Sequence, residues 1–254
     1  MVERLRIVSG ALVAAWLVGC AGPGDRQPPS ADAQARGSIT GRVRYVGPRP
    51  AETQMFVPNL NRKIDAHTVH VDPETGGLRD AVVFLESDTS IAVETARIET
   101  QGEPPMVNQI DEVFVPHVLA VRAGRPVRFT SFDNGNHNIH AVSFEPANTF
   151  NRYFALDTVY HHTFQSSRKD QPVKLICDLH SWMQAWVYVF DHPYFAVTGP
   201  DGRFTLNDVP PGRYTLVAHH ADEHLRHEQP LTIDDGKTQT VDLNMGRAGP
   251  TRVH

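Results

Sequence analysis

Within seven residues the chain places a thiol, an imidazole and a thioether: Cys177, His180 and Met183, in the run Cys-Asp-Leu-His-Ser-Trp-Met. Side chains of these types at this spacing make a chelating loop. Thiolate, imidazole and thioether together favour copper, because sulfur suits Cu(I) and imidazole suits both oxidation states. A fourth donor has to come from elsewhere. The run His-Asn-Ile-His at 137–140 offers His137 and His140, just beyond a strand-like stretch at 127–133. Residues three apart on an extended strand point to opposite faces, so only one of the two can share a site with Cys177. The plainer alternatives are a buried structural Cys beside unrelated His and Met, or a structural zinc. Met is a poor zinc ligand, and two cysteines are more usual there.

A loop of this kind needs strands to hold it. PVKLICDLHSWMQAWVYVFD (172–191) reads as strand, short loop, strand, with bulky and β-branched residues in both arms. VFVPHVLAVRAGRPVRFTSFD (113–133) holds two strand patterns joined at Ala123-Gly124-Arg125-Pro126; Val127, Phe129 and Ser131 face one way. GSITGRVRYVG and DAVVFLES (80–87) are further strands. GPDGRFTLNDVPPGRYTLVAHH is a pair of strands with Asp201-Gly202 and Pro211-Gly212 as turn signals, followed by a closing strand near 238–243. Residues 47–78 read as irregular, and 145–163, rich in aromatics and His without a period, as a long loop. No long 3.6-residue apolar period follows the leader, so the expected fold class is all-β.

The leader differs from the rest. Arg4 and Arg6 precede an apolar run over 7–18, too short to span a bilayer as a permanent helix. Leu17-Val18-Gly19-Cys20 resembles the bacterial lipobox, whose Cys is lipidated. The resemblance implies a lipoprotein signal peptide at 1–19, lipidation at Cys20 and a flexible tether at 20–36. It implies export and a lipid anchor on the periplasmic side, with Ala21 leaning to the outer membrane. With Cys20 lipidated, Cys177 is the single remaining thiol and has no internal disulfide partner. An unpaired thiol in an oxidising compartment is a hazard unless it is buried or metal-bound.

Two resemblances then give the chain a family context. C-x-x-H-x-x-M with an upstream G-x-P-V-x-F and H-N-x-H resembles the cupredoxins, nearest the amicyanin, plastocyanin-like and methylamine-utilisation-related proteins, over roughly 110–190. It implies one mononuclear blue copper held by His137, Cys177, His180 and Met183, and it selects His137 over His140. It also implies that Asn138 ties the two ligand-bearing loops together. Its usual Ser/Thr partner is Asp178 here, and Ser181 stands where relatives often have Pro. GSITGRV and D-G-R-F-x-L-x-x-V-P-P-G-x-Y-T-L (201–216) resemble a carboxypeptidase regulatory-like, transthyretin-like sandwich. The implied architecture is a Greek-key cupredoxin sandwich (88–192) inserted into, or packed beside, a small sandwich made of 37–87 and 193–246, with a loose tail at 247–254.

The implied function is electron transfer by one copper cycling between Cu(I) and Cu(II), with an unidentified redox protein docking near His180 and Trp182. Copper capture and delivery, or a structural sandwich that binds a partner, are the alternatives. A saturated His2CysMet set leaves no open position for substrate, and no nucleophile elbow, phosphate loop or acid pair appears, so no enzyme is expected. The net charge of −5 and the lack of a Lys/Arg stripe point away from nucleic acid. His219, His220, His224 and His227 read as a polar surface loop of the small sandwich, with a second metal site as the alternative. His161 and His162 read as loop residues.

Overall fold

A computed structural model of the chain describes residues 35–49, 51, 54–65, 69–87, 102–166 and 171–246. The expected signal peptide at 1–19, the expected lipidation site Cys20, most of the expected tether and the tail from 247 lie outside the described residues. Among the described residues the regular structure is strand, with two short 3-10 turns at Pro58–Leu60 and Pro146–Asn148. The fold is all-β.

The strands run in order β1 (Gly37–Tyr45), β2 (Gln54–Val57), β3 (Arg62–Asp65), β4 (Val82–Glu86), β5 (Met106–Ile110), β6 (Val113–Val115), β7 (Val118–Arg122), β8 (Pro126–Ser131), β9 (His137–Val142) and β10 (Phe150–Phe154). They continue with β11 (Val159–Thr163), β12 (Val173–Ile176), β13 (Gln184–Phe190), β14 (Phe195–Val197), β15 (Arg203–Val209), β16 (Gly212–His220), β17 (Leu225–Ile233), β18 (Thr238–Thr240) and β19 (Leu243–Met245). Three readings are corrected here. Residues 47–78 contain the β2–β3 hairpin, and 145–163 contain β10 and β11 rather than one long loop. The stretch expected to be one strand from Val113 is broken into β6 and β7 around a cis Val115–Pro116 bond.

Four larger sheets result. One has the order β15-β1-β18 with β19 also on β1, and the second β14-β4-β16-β17. The third is β10-β9-β12-β13-β7, and the fourth β11-β8-β5-β6. Period-two alternation then decides which faces meet. In β4, Val83 and Leu85 join Ile39, Val43, Phe204 and Leu216 in a core between the first two sheets. In β13, Ala185, Val187 and Val189 join Val127, Phe129, Ile139 and Leu175 in a core between the last two. Each pair of sheets is therefore a sandwich.

The alternate residues of β4 and β13 do not face water. Val82 and Phe84 meet Tyr188 and Phe190, with Val118, Val217 and Ala221, in a third apolar layer. Phe84 and Phe190 are fully buried with ring centroids 5.1 Å apart. Burying a side chain of this size contributes about 1.5–3 kcal/mol, so the layer holds the two sandwiches face to face. The sheet that carries the chelating loop is thereby packed on both sides along β13.

Candidate metal centre

The loop is closed at its base by the β12–β13 pair, where Ile176 lies opposite Gln184. Three backbone hydrogen bonds fold it: the His180 amide donates to Cys177 O (3.3 Å), the Met183 amide to His180 O (2.9 Å) and the Cys177 amide to Met183 O (3.2 Å). These turns bring residues three and six apart onto one side of the loop. β9 lies next to β12, with His140 opposite Ile176. His137, at the start of β9, is thereby delivered to the loop.

The structure brings His137, Cys177 and His180 together, their donor atoms within 4.8 Å of one another. His137 Nδ1 and His180 Nδ1 are 3.0 Å apart, and Cys177 Sγ is 3.6 Å from His180 Nδ1. Bonds of about 2.0 Å to imidazole and about 2.3 Å to thiolate place the donors of one metal ion roughly 3.3–3.7 Å apart. The two edges at His180 Nδ1 are close to that, the third lies within 4.8 Å, and the donor set fits a soft-to-borderline ion such as copper. Met183 is 1% exposed and packs in the same core as Cys177.

Ligation requires neutral imidazole and a deprotonated thiol. Burial pushes His137 below the ordinary histidine value; the neighbouring His180 adds to this, and Asp133 and Glu112 oppose it. His137 is therefore neutral near pH 7. Its Nε2 lies 3.1 Å from Asp133 Oδ2, without a well-aligned hydrogen bond. A carboxylate on this side favours the proton on Nε2, which leaves the Nδ1 lone pair facing the other donors.

His140 goes the other way, as strand geometry requires. It is half-exposed and its Nδ1 lies 3.0 Å from Asp178 Oδ1. Asp178 fills the place where a Ser or Thr was expected, and it does more than a hydroxyl can. Its Oδ2 accepts from Asn138 Nδ2 (2.7 Å) and Asn151 Nδ2 (2.8 Å), while its amide donates to Asn138 Oδ1 (2.7 Å). The His140 hydrogen bond, then Asn151 and Asn138, hold the Asp178 carboxyl below the usual range. The Cys177 thiol also donates to Asn138 Oδ1 (3.3 Å). One amide side chain thus ties β9 to the ligand loop, and Asn151 ties β10 to both.

Four of the other histidines are placed differently from expectation, while His224 lies in an exposed turn as expected. His219 and His220 end β16 and are 8% and 2% exposed, so they are not in a surface loop. His161 and His162 lie in β11. Among the described residues, the His137, Cys177 and His180 group is the one whose donors converge as a metal site requires.

Residues 183–246 match the family model of the carboxypeptidase regulatory-like domain, a match that begins with the last ligand-loop residue and β13. No curated protein sequence matches the chain. Among solved structures, the chain is similar to a Cu-containing nitrite reductase from Thermus scotoductus SA-01, at 20% identity over 36% of this chain and 23% of that one, TM-score 0.33. It therefore spans less than a quarter of that enzyme's length. It is also similar to a purple cupredoxin from Nitrosopumilus maritimus, at 19% identity over 34% of this chain and 99% of that one, TM-score 0.29. A third is the reduced Cu(I) form of an amicyanin variant, at 19% identity over 42% and 98%, TM-score 0.32.

Proposed function

We propose that the chain is a blue-copper electron-transfer protein, exported and lipid-anchored through Cys20, with one copper held by His137, Cys177, His180 and Met183. The observation that carries this reading is the convergence of two imidazole nitrogens and one thiol, 3.0 and 3.6 Å apart along its measured edges, in a loop whose last residue is a buried thioether. Bound there, copper supplies a one-electron couple between Cu(I) and Cu(II).

The chain's own residues do the rest. Cys177, 3% exposed, and His137, 0% exposed, keep water from the donors. His180 is half-buried, and its ring centroid lies 5.1 Å from that of Trp182, so this ligand is the one nearest the surface. Leu179 and Phe132, both more than half exposed, lie in the loop and just after β8. Trp182 borders a cleft of about 520 Å³ lined by Arg62, Lys63, Arg79 and Asp111, with Arg62 paired to Asp111 at 2.8 Å. A redox partner docking near His180 and Trp182 would meet an apolar surface beside a charged cleft. With all donors drawn from the protein, this is the site of an electron carrier and not of an enzyme.

The same reading makes 88–192 an insertion between 37–87 and 193–246. Strands β1 and β4 share their two sheets with β14–β19, whereas β5–β13 build the other two. Copper content and voltammetry test the functional reading together. One copper per chain with a reversible one-electron wave supports it; no bound copper, or binding without a reversible wave, contradicts electron transfer.

A further inference from the structure

The sandwich that lacks the ligands reaches the ligand loop through one carboxylate. Asp222 sits in the turn between β16 and β17, and its side chain is 8% exposed. Its Oδ1 accepts from Trp186 Nε1 (2.9 Å) and Gln184 Nε2 (3.4 Å), and its Oδ2 pairs with His117 Nε2 (2.7 Å). All three partners belong to the ligand-bearing sandwich or its β6–β7 connection. His117 in turn holds the same strand, through Nδ1 to Gln184 O (3.1 Å) and through its carbonyl, which accepts from the Trp186 amide (2.9 Å). The first residues of β13 are gripped from two sides.

Gln184 directly follows Met183, and the Met183 backbone closes the loop onto both Cys177 and His180. Whatever fixes Gln184 therefore fixes the arm of the loop that carries the thioether. The apolar layer between the sandwiches is non-directional and sets no register by itself. A buried carboxylate serving directed donors on three side chains does, because each misplaced donor would be left unsatisfied.

We propose that Asp222 is a positioning residue for the metal loop, and that the small sandwich serves as the rigid support of that loop's C-terminal arm. The proposal rests on the copper reading for its purpose, but its physical content is the rigidity of residues 177–186 and holds without metal.

The test is hydrogen exchange on the metal-free full chain, comparing wild type with Asp222→Ala, Asp222→Asn and Tyr188→Phe. The last variant cuts the Tyr188 hydroxyl contact to His219 Nδ1 (2.7 Å) at the same interface and leaves the Asp222 hydrogen bonds in place. Expected is exchange about tenfold or more faster over 177–186 in Asp222→Ala. Asp222→Asn, which keeps an acceptor oxygen, should show partial rescue. Tyr188→Phe should match wild type over 177–186, and β1 should be unchanged in all three. Wild-type exchange over 177–186 in both Asp222 variants overturns the proposal. So does equal acceleration in β1, or equal acceleration in Tyr188→Phe, since either marks general loosening. If Asp222→Ala fails to fold, Asp222→Asn decides alone. Failure of the copper reading shows separately, as absence of a thiolate-to-Cu(II) band in the wild type.

Discussion

The Oδ1 atom of Asn138 lies 3.3 Å from the Cys177 sulfur and 2.7 Å from the Asp178 amide nitrogen. An 8%-exposed side chain on β9 is thus the acceptor for two groups of the ligand loop. Asn138→Ala removes it and leaves the Asp178 N–H without that partner. The expected cost is about 1–3 kcal/mol in the metal-free chain, read from the denaturant midpoint. Stability equal to wild type would show that the tie carries no weight.

Asp178 sets one charge beside the sulfur ligand. Negative charge near a redox metal favours its oxidised form, so Asp178→Asn should raise the reduction potential while the fold persists. Voltammetry of the copper-loaded variant checks the sign, and an unchanged or lowered potential contradicts it.

The His117–Asp222 pair predicts a pH window for stability. Burial pulls His117 down, but the Asp222 hydrogen bond and charge outweigh it and leave His117 raised above 6.5. Burial pushes Asp222 up, but the His117 hydrogen bond and charge, with Trp186, hold it at about 2, against 3.8 for a free carboxyl. A raised histidine contributes fully below its unfolded value and loses that contribution as pH rises through its folded one. A depressed carboxyl contributes above its unfolded value and loses that contribution as pH falls through its folded one. The stability difference between wild type and Asp222→Asn should therefore peak between about pH 4 and 6.5 and shrink on both sides. On the acid side the Asp222 part is worth about 2 kcal/mol. A difference flat from pH 2 to 9 would contradict the pairing.

The apolar layer between the sandwiches predicts joint behaviour. Phe84→Ala removes a fully buried ring from it and should cost about 3–5 kcal/mol. Chemical denaturation followed by near-ultraviolet circular dichroism checks this. A loss below about 1 kcal/mol would mean that the layer contributes little.

Gly41 in the GSITGRV motif lies where the backbone around Val241 crosses β1. A Cβ there would run into the Val241 carbonyl, while the Val241 amide donates to Thr40 O (2.8 Å). Gly41→Ala must push that segment away and should destabilise the chain by about 1–3 kcal/mol. A neutral effect would mean that the crossing is free to move.

The ligand loop was legible because chemistry and periodicity agree there: buried, alternating arms flank a run of donor side chains. The missed strands are those whose buried face is narrow. β10 and β11 lie at sheet edges, with three of five residues exposed in each, and their inward residues are few: Phe150 and Phe154 in β10, Tyr160 and the polar His162 in β11. Among the described residues the β2–β3 hairpin pairs only with itself. The burial of His219 is not legible because a polar residue on the outer face of an isolated sandwich would meet water, and nothing local announces that Tyr188 of the second sandwich covers it; His220, the next residue of β16, faces the opposite way. Asp222 was hidden for the same reason, its partners lying 36 to 105 residues away. His137 was separable from His140 by strand geometry only as one of a pair; the fold shows His137 buried beside Cys177 and His180, with His140 outside on Asp178.

The most direct test is the visible spectrum of the Cu(II)-loaded chain beside its Cys177→Ser variant. The account predicts an intense blue band in the wild type, arising from thiolate bound to Cu(II), and its loss in the variant. A wild type without that band, or a band that survives in Cys177→Ser, would contradict it.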